Sequence, residues 1–188
     1  VARLMRKHKM VSVHKTKYKP QTTQSGHDHE VSPNIINQDF TVRCENQKWG
    51  CDISYIPTKE GFVYLAVVMD FYSRKIVGYQ MRKSLHAALC CQALEKACVL
   101  RNPPADLVHH SDRGSQYASI AYRNILKKHH FIQSMSRKGN CYDNAMVESF
   151  FHTLKVELVH RLHYQTRQEA YTSIENYITV FYLSLIHI

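Results

Sequence analysis

Three acidic residues, Asp52, Asp112 and Glu148, stand where a carboxylate needs a reason. Asp52 lies between Cys51 and Ile53 in a run otherwise hydrophobic or small. A carboxylate inside a central strand is costly unless it is paired or binds a cation. Asp112 follows the apolar stretch Leu107 to His110 and precedes Arg113 and Gly114. That places it at the C-terminus of a strand, where mixed α/β sheets commonly carry their sites. Glu148 is flanked by Val147 and Phe150, core positions of a long helical stretch. Taken singly, each acid has a plain alternative: Asp112 as a turn or cap residue, Glu148 as a solvated helix acid. Taken together, two strands and a helix can bring three carboxylates to one point, and two hard divalent cations require such a set of oxygens. Two such ions about 4 Å apart activate one oxygen as a nucleophile and stabilise the leaving oxygen of an in-line attack on phosphate. That chemistry needs no side-chain nucleophile.

The elements that would hold these acids follow from periodicity. Lys48 to Ile56 alternates and is rich in strand formers, Lys59-Glu60-Gly61 makes a turn, and Phe62 to Met69 gives a second strand. Asp70 to Arg74 turns again into a third strand, Lys75 to Met81, completing an antiparallel meander. Residues 85–99 predict a helix on the spacing of Leu85, Leu89, Ala93 and Ala97. After Pro103 and Pro104 comes a short strand, Asp106 to His110, then a helix from Ser115 to His130 and a last strand from Phe131 to Met135. A long helix is expected from about Asp143 to His160, with Val147, Phe150, Leu154 and Leu158 as its inward stripe. Residues 166–182 form a final amphipathic helix. This order is that of an α/β fold, a mixed five-stranded sheet covered by helices on both faces.

The remaining signals are weighed against this site. Asp70 reads as a turn residue, Asp143 as the cap of the Glu148 helix and Glu157 as structural. Trp49 and Tyr55 alternate on the face opposite Asp52 and read as core. His109 and His110 either position water or metal or are bystanders in a buried strand. The six cysteines lack C-x-x-C spacing, and the 13 histidines have no cysteine pair at finger spacing, so neither a disulfide framework nor a zinc site is expected. A net charge of +10 suggests a polyanionic partner such as nucleic acid, and Arg3, Arg6, Lys7, Lys9, Lys15, Lys17 and Lys19 precede the first acid, Asp28. Residues 1–10 read as a helix end, with Val1, Leu4 and Met5 at helical spacing, and 11–39 as a polar linker. No apolar run approaches the roughly 20 residues of a membrane span, and no secretory signal is seen, which predicts a soluble cytoplasmic protein without a membrane partner. The first residue is not Met, so the start of the gene product is expected to be missing.

Three stretches carry a family resemblance: Asn46-Gln-Lys-Trp-Gly-Cys-Asp52, His109-His-Ser-Asp112-Arg-Gly-Ser-Gln-Tyr117, and Gly139-Asn-Cys-Tyr-Asp-Asn-Ala-Met-Val-Glu148-Ser-Phe-Phe-His-Thr-Leu-Lys155. They resemble the DDE transposases of bacterial insertion sequences, of the insertion-sequence-three type in its second-frame product, and the similar cores of retroviral integrases. Thirty-five residues separate Asp112 from Glu148, the spacing that names this DD(35)E group. The resemblance implies a ribonuclease-H-like fold with a basic N-terminal arm. It also implies catalysis by Asp52, Asp112 and Glu148 holding two Mg2+ or Mn2+ ions, cleavage at transposon ends, and attack of the freed 3′ hydroxyl on target DNA. Lys155 matches the family as well, and with Arg113, Arg137 and Lys138 it makes up the candidate DNA contacts. Synapsis of DNA ends implies a homo-multimer. Domain organisation is expected as a leader and linker over 1–40, the tail of a helix-turn-helix region, then a catalytic core over 41–182. The ending Phe181-Tyr182-Leu-Ser-Leu-Ile-His-Ile188 replaces the Arg-rich continuation of the family and reads as a truncated tail over 183–188. The rival expectations are a ribonuclease-H-like nuclease that cuts without joining and an inactive DNA-binding relic.

Overall fold

β-Branched and aromatic residues in alternation build the first half of the structure, a computed structural model that describes residues 26–182 apart from Asp28, Gly139 and the side chain of Cys141. The expected helix end over 1–10, most of the basic leader and the tail over 183–188 lie outside the described residues. Strands β1 (Lys48–Thr58), β2 (Gly61–Asp70) and β3 (Ile76–Arg82) form the antiparallel meander, with Thr58 opposite Gly61 and Trp49 opposite Asp70. Helix α1 (Ala87–Arg101) leads to β4 (Val108–Ser111), which runs parallel to β1. Helices α2 (Ser115–Ala118) and α3 (Ile120–Lys128) connect it to β5 (Ile132–Met135), parallel to β4. A 3-10 turn (Cys141–Asn144) opens α4 (Ala145–Leu154), and α5 (Arg167–Asn176) closes the described chain with a π-helical turn (Tyr177–Tyr182). The sheet order is β3-β2-β1-β4-β5.

Three expected helices differ from what is found, the last of them, expected over 166–182, turning π-helical from Tyr177. The single helix from Ser115 to His130 is broken at Ser119, whose extended backbone (ψ 149°) and side chain, accepting from the Tyr122 N–H, cap the start of α3. The long helix after Asp143 turns π-helical over Lys155–Val159. An extra residue in a turn rotates the following side chains, so Val159, not Leu158, completes the buried row of Val147, Phe150 and Leu154.

Each face of the sheet has its own core. On one side Trp49, Cys51, Ile53, Ala66 and Val68 meet α1 and α3 through Leu89, Leu94, Tyr122 and Leu126. On the other, Ile56, Leu65, Val67 and Met69 meet α4 and α5 through Val147, Phe150, Leu154 and Ile174. Each such side chain contributes roughly 1.5–3 kcal/mol. Together they outweigh the cost of holding one carboxylate, Asp52, in the same sheet. The described part of the stretch read as a linker is fastened to β5: the Ile35 N–H donates to Ser134 Oγ at 2.9 Å, the Met135 N–H donates to the Pro33 carbonyl at 3.2 Å, and Ile36 is buried.

Candidate active site

The parallel pairing of β1 with β4 sets the first two acids. Cys51 pairs with Ser111, so Asp52 and Asp112 are the next residues along neighbouring strands. Asp52 shares the face of Gly50 and Ile56, the face on which α4 packs. One Asp52 oxygen accepts the Ile53 N–H at 2.8 Å, and one Asp112 oxygen accepts the Gly114 N–H at 2.8 Å. Glu148 sits exposed in the first turn of α4, where a negative charge is favoured by the helix dipole.

Electrostatically the three acids are one group. Burial pushes the Asp52 carboxyl well above the usual carboxylate range, and the charges of Asp112 and, more weakly, Glu148 add to the rise. The Ile53 N–H and the Lys155 ammonium oppose it. Burial also raises Glu148. Among the described residues no three Asp, Glu, His or Cys groups are drawn into a ready-made coordination cage. The donor set is nevertheless one that a hard divalent cation fits: oxygen only, in mutual repulsion that a cation would relieve.

The basic candidates occupy different positions. Lys155 places its ammonium 5.0 Å from the centre of the Tyr55 ring. Arg113 donates through Nε to the Ser136 carbonyl at 2.6 Å, while His27 meets the Arg113 carbonyl at 2.9 Å. Arg137 is bound to Asp143, and Lys138 is exposed.

Several neighbours read differently from expectation. Asp143 does not cap α4. It is buried and accepts from the Arg137 N–H at 2.8 Å, from Arg137 Nε and Nη2, and from Gln38 Nε2 at 3.2 Å. The Arg137 guanidinium accordingly holds its carboxyl far below the usual range. The position before the helix belongs to Asn144. Tyr55 is only half-buried, edge-on to Phe62 and beneath Lys155, so it is not a core residue, whereas Trp49 is fully buried. His109 bonds Cys51 Sγ at 2.8 Å and the Tyr122 hydroxyl at 3.0 Å, and burial pushes it down to about 3. His110 bonds Ser134 and Ser136, and burial pushes it down to about 4. Both are neutral core groups. Asp70 accepts from the Ser73 hydroxyl at 2.7 Å in its turn, and Glu157 accepts from the Tyr177 hydroxyl at 2.7 Å, so both are structural as expected.

Two residues that seat α4 escape a reading by residue type. A Cβ on Gly50 would collide with the Phe71 ring and lie 2.8 Å from Val147, so glycine alone lets the helix approach β1 this closely. Asn144 donates through Nδ2 to the Cys51 carbonyl at 3.0 Å. The only advance signal was their place inside the stretches that bracket Asp52 and Glu148. A cavity of about 760 Å3 lies elsewhere, lined by Leu158, Tyr177, Val180 and Phe181. No described helix is long and apolar enough to cross a membrane.

The pattern of the Integrase core domain family matches residues 42–141, and a second Integrase core domain pattern matches residues 148–183. Transposase InsF for insertion sequence IS3A from Escherichia coli (strain K12) is 47% identical over 156 residues, which cover 83% of this chain and 54% of that protein. An uncharacterized 31 kDa protein of insertion element IS600 from Shigella sonnei is 43% identical over 182 residues, 97% of this chain and 66% of that one. The chain thus spans about half the length of the transposase it matches. Among solved structures, a chain of the simian T-cell lymphotropic virus intasome superposes with a TM-score of 0.57 at 19% identity, covering 69% of this chain and 44% of its own. That likeness concerns the fold alone, the ribonuclease-H-like mixed sheet.

Proposed function

The chain belongs to the Integrase core domain family, and from this premise we propose that it is the catalytic core of a DNA transposase, cutting insertion-sequence ends and joining them to target DNA. The observation that carries the proposal is the pairing of Cys51 with Ser111, which sets Asp52 beside Asp112 while α4, with Glu148 in its first turn, packs against the same strand; the raised carboxyl of Asp52 agrees with it. In this reading Asp52, Asp112 and Glu148 hold two divalent cations, Mg2+ or Mn2+. When bound, these supply activation of the attacking oxygen and stabilisation of the leaving one. The rigid pair on β1 and β4 fixes one side of the phosphate, and Glu148 closes on it from α4. In the first step water attacks the phosphodiester at the transposon end, the P–O3′ bond breaks, and a 3′ hydroxyl is released. In the second that hydroxyl attacks a target phosphate, a new P–O bond forms and the target's own 3′ oxygen leaves. Lys155, at the far end of α4, and the exposed Lys138 contact the DNA backbone, while Arg113 and Arg137 shape the loop that carries it. DNA is the partner, a homo-multimer joins two ends, and the work is done in the bacterial cytoplasm. Residues 1–40 are the leader from a DNA-recognition region, 41–182 the core and 183–188 an atypical tail.

The test is an assay that scores nicking and strand transfer separately on DNA carrying the element's ends, with Mg2+ or Mn2+. Asp52→Asn, Asp112→Asn and Glu148→Gln should each abolish both products. Their DNA affinity should stay near that of the parent, because phosphate binding comes mainly from Lys and Arg. Loss in only one variant would break up the triad. Nicking without joining by the parent would make the chain a nuclease, and no product with either metal would make it a DNA-binding relic.

A further inference from the structure

Of the three acids, Glu148 is the one that no strand holds in place. Its helix stands on β1 through the close approach at Gly50 and through Asn144, which is 3% exposed and lies one helical turn before Glu148. An Asn at the start of a helix ordinarily turns its side-chain oxygen onto an N–H of the first turn. Asn144 makes no such bond. Its Nδ2 instead crosses to the Cys51 carbonyl at 3.0 Å, on the peptide that joins Cys51 to Asp52, and its Oδ1 is buried without a hydrogen-bond partner. A helix start that forgoes its cap and leaves a buried carbonyl oxygen unmatched is a local loss, and such losses cluster where function overrides stability. The residue before it, Asp143, is locked by Arg137 and Gln38, so the loop side of the junction is already fixed. The amide of Asn144 is what ties that junction to the strand of Asp52.

We propose that Asn144 is a positioning residue: it sets the separation of Glu148 from Asp52, and through it the affinity of the acid cluster for a divalent cation. The assignment rests on the three-carboxylate reading above. Asn144 itself touches neither metal nor DNA. It acts through the backbone of β1 and the first turn of α4.

The test compares the parent with Asn144→Leu, which keeps the branched outline at a larger volume and removes the amide. Four quantities are measured: melting temperature in chelator, its rise with Mg2+, DNA affinity, and the Mg2+ needed for half-maximal nicking. The variant should bind Mg2+ about tenfold more weakly by the thermal rise, and recover nicking at raised Mg2+, with DNA affinity unchanged. A purely structural Asn144 would lower the melting temperature in chelator while leaving the Mg2+ dependence at the parent's value, and that result overturns the proposal. If Asn144→Leu does not fold, Asn144→Ser is measured in the same way. Failure of both to fold assigns the residue to the fold itself and equally overturns the proposal. Asp52→Asn and Glu148→Gln run alongside: if they keep the parent's Mg2+ rise, the carboxylate reading is what fails. If they lose it and the Asn144 variants do not, only Asn144 is misassigned.

Discussion

Two carboxylates, Asp52 inside β1 and Asp143 in the turn before α4, are treated in opposite ways by the chain around them. Asp143 is buried but surrounded by donors, three of them from Arg137, and its carboxyl is held far below the usual range. Asp52 is half-buried with other acids for neighbours, and its carboxyl is pushed up. The first arrangement satisfies a charge and shuts a loop. The second gathers like charges, which a folding argument alone would not select. An acid paired with a base describes structure, and like charges gathered at one place mark a candidate site. His110 follows the same rule on the structural side, since both its ring nitrogens meet Ser hydroxyls and burial pushes its pKa down; His109 is held through Nε2 by Cys51 and Tyr122, and burial pushes it down as well.

The sharpest way to break that contrast is to remove the charge of Asp143. Asp143→Asn leaves Arg137 facing an amide and loses charge-assisted bonds, and should destabilise the chain by about 1–3 kcal/mol at neutral pH. The pH dependence carries the sign. The folded carboxyl binds its proton far less readily than the unfolded one, whose pKa is about 3.9, so below that value the unfolded chain takes up the proton first. The contribution is therefore present above about pH 4 and is lost as pH falls further. Denaturant titrations of parent and variant at pH 7 and pH 3 should show a gap that narrows in acid. A gap that is constant, or that widens in acid, would place the effect in packing and not in the ion pair.

This pair also marks the limit of what residue types alone revealed. The meander and the two parallel strands were legible because alternation and short apolar runs each obey a local rule, and the register of β1 with β4 sets Asp52 next to Asp112. Asp143 was misread as a cap because the rule for acids at helix starts is local too, and its true partners, Arg137 and Gln38, are set by how a loop folds over the sheet. Tyr55 was misread as core because strand alternation says nothing of the helix lysine that lies over its ring. The π-helical turn at Lys155–Val159 left no periodic trace beforehand, because it shifts a stripe by one residue without altering composition.

On the other side of the contrast, neutralising one acid of the cluster should stabilise the metal-free chain. Asp112→Asn removes one of the charges that raise Asp52, and should increase the melting temperature in chelator by a few degrees, about 1 kcal/mol. Mg2+ should stabilise the parent by mass action and the variant much less. If Asp112 served only its turn, where it accepts the Gly114 N–H, the same change would lower stability and leave the two Mg2+ shifts equal. Melting curves in chelator and in Mg2+ decide between them.

The smallest effect expected is at Lys155, where the two treatments of charge meet. Its ammonium lowers the Asp52 carboxyl and lies over Tyr55, so it serves the cluster electrostatically and the surface sterically. If it also contacts DNA, Lys155→Ala should weaken binding near the cleaved end and reduce the salt dependence of binding by about one phosphate contact, a change of roughly 0.9 in the log–log slope. If its role is confined to Tyr55, the substitution costs roughly 0.5–1 kcal/mol of stability and leaves the slope alone. Tyr55→Leu separates the two, because it removes the ring contact and keeps the ammonium. Affinity measured over a series of salt concentrations should then give the parent's slope for Tyr55→Leu and a shallower one for Lys155→Ala. Equal slopes for all three proteins would take Lys155 out of the DNA interface and leave it as a screen for the acids beside it.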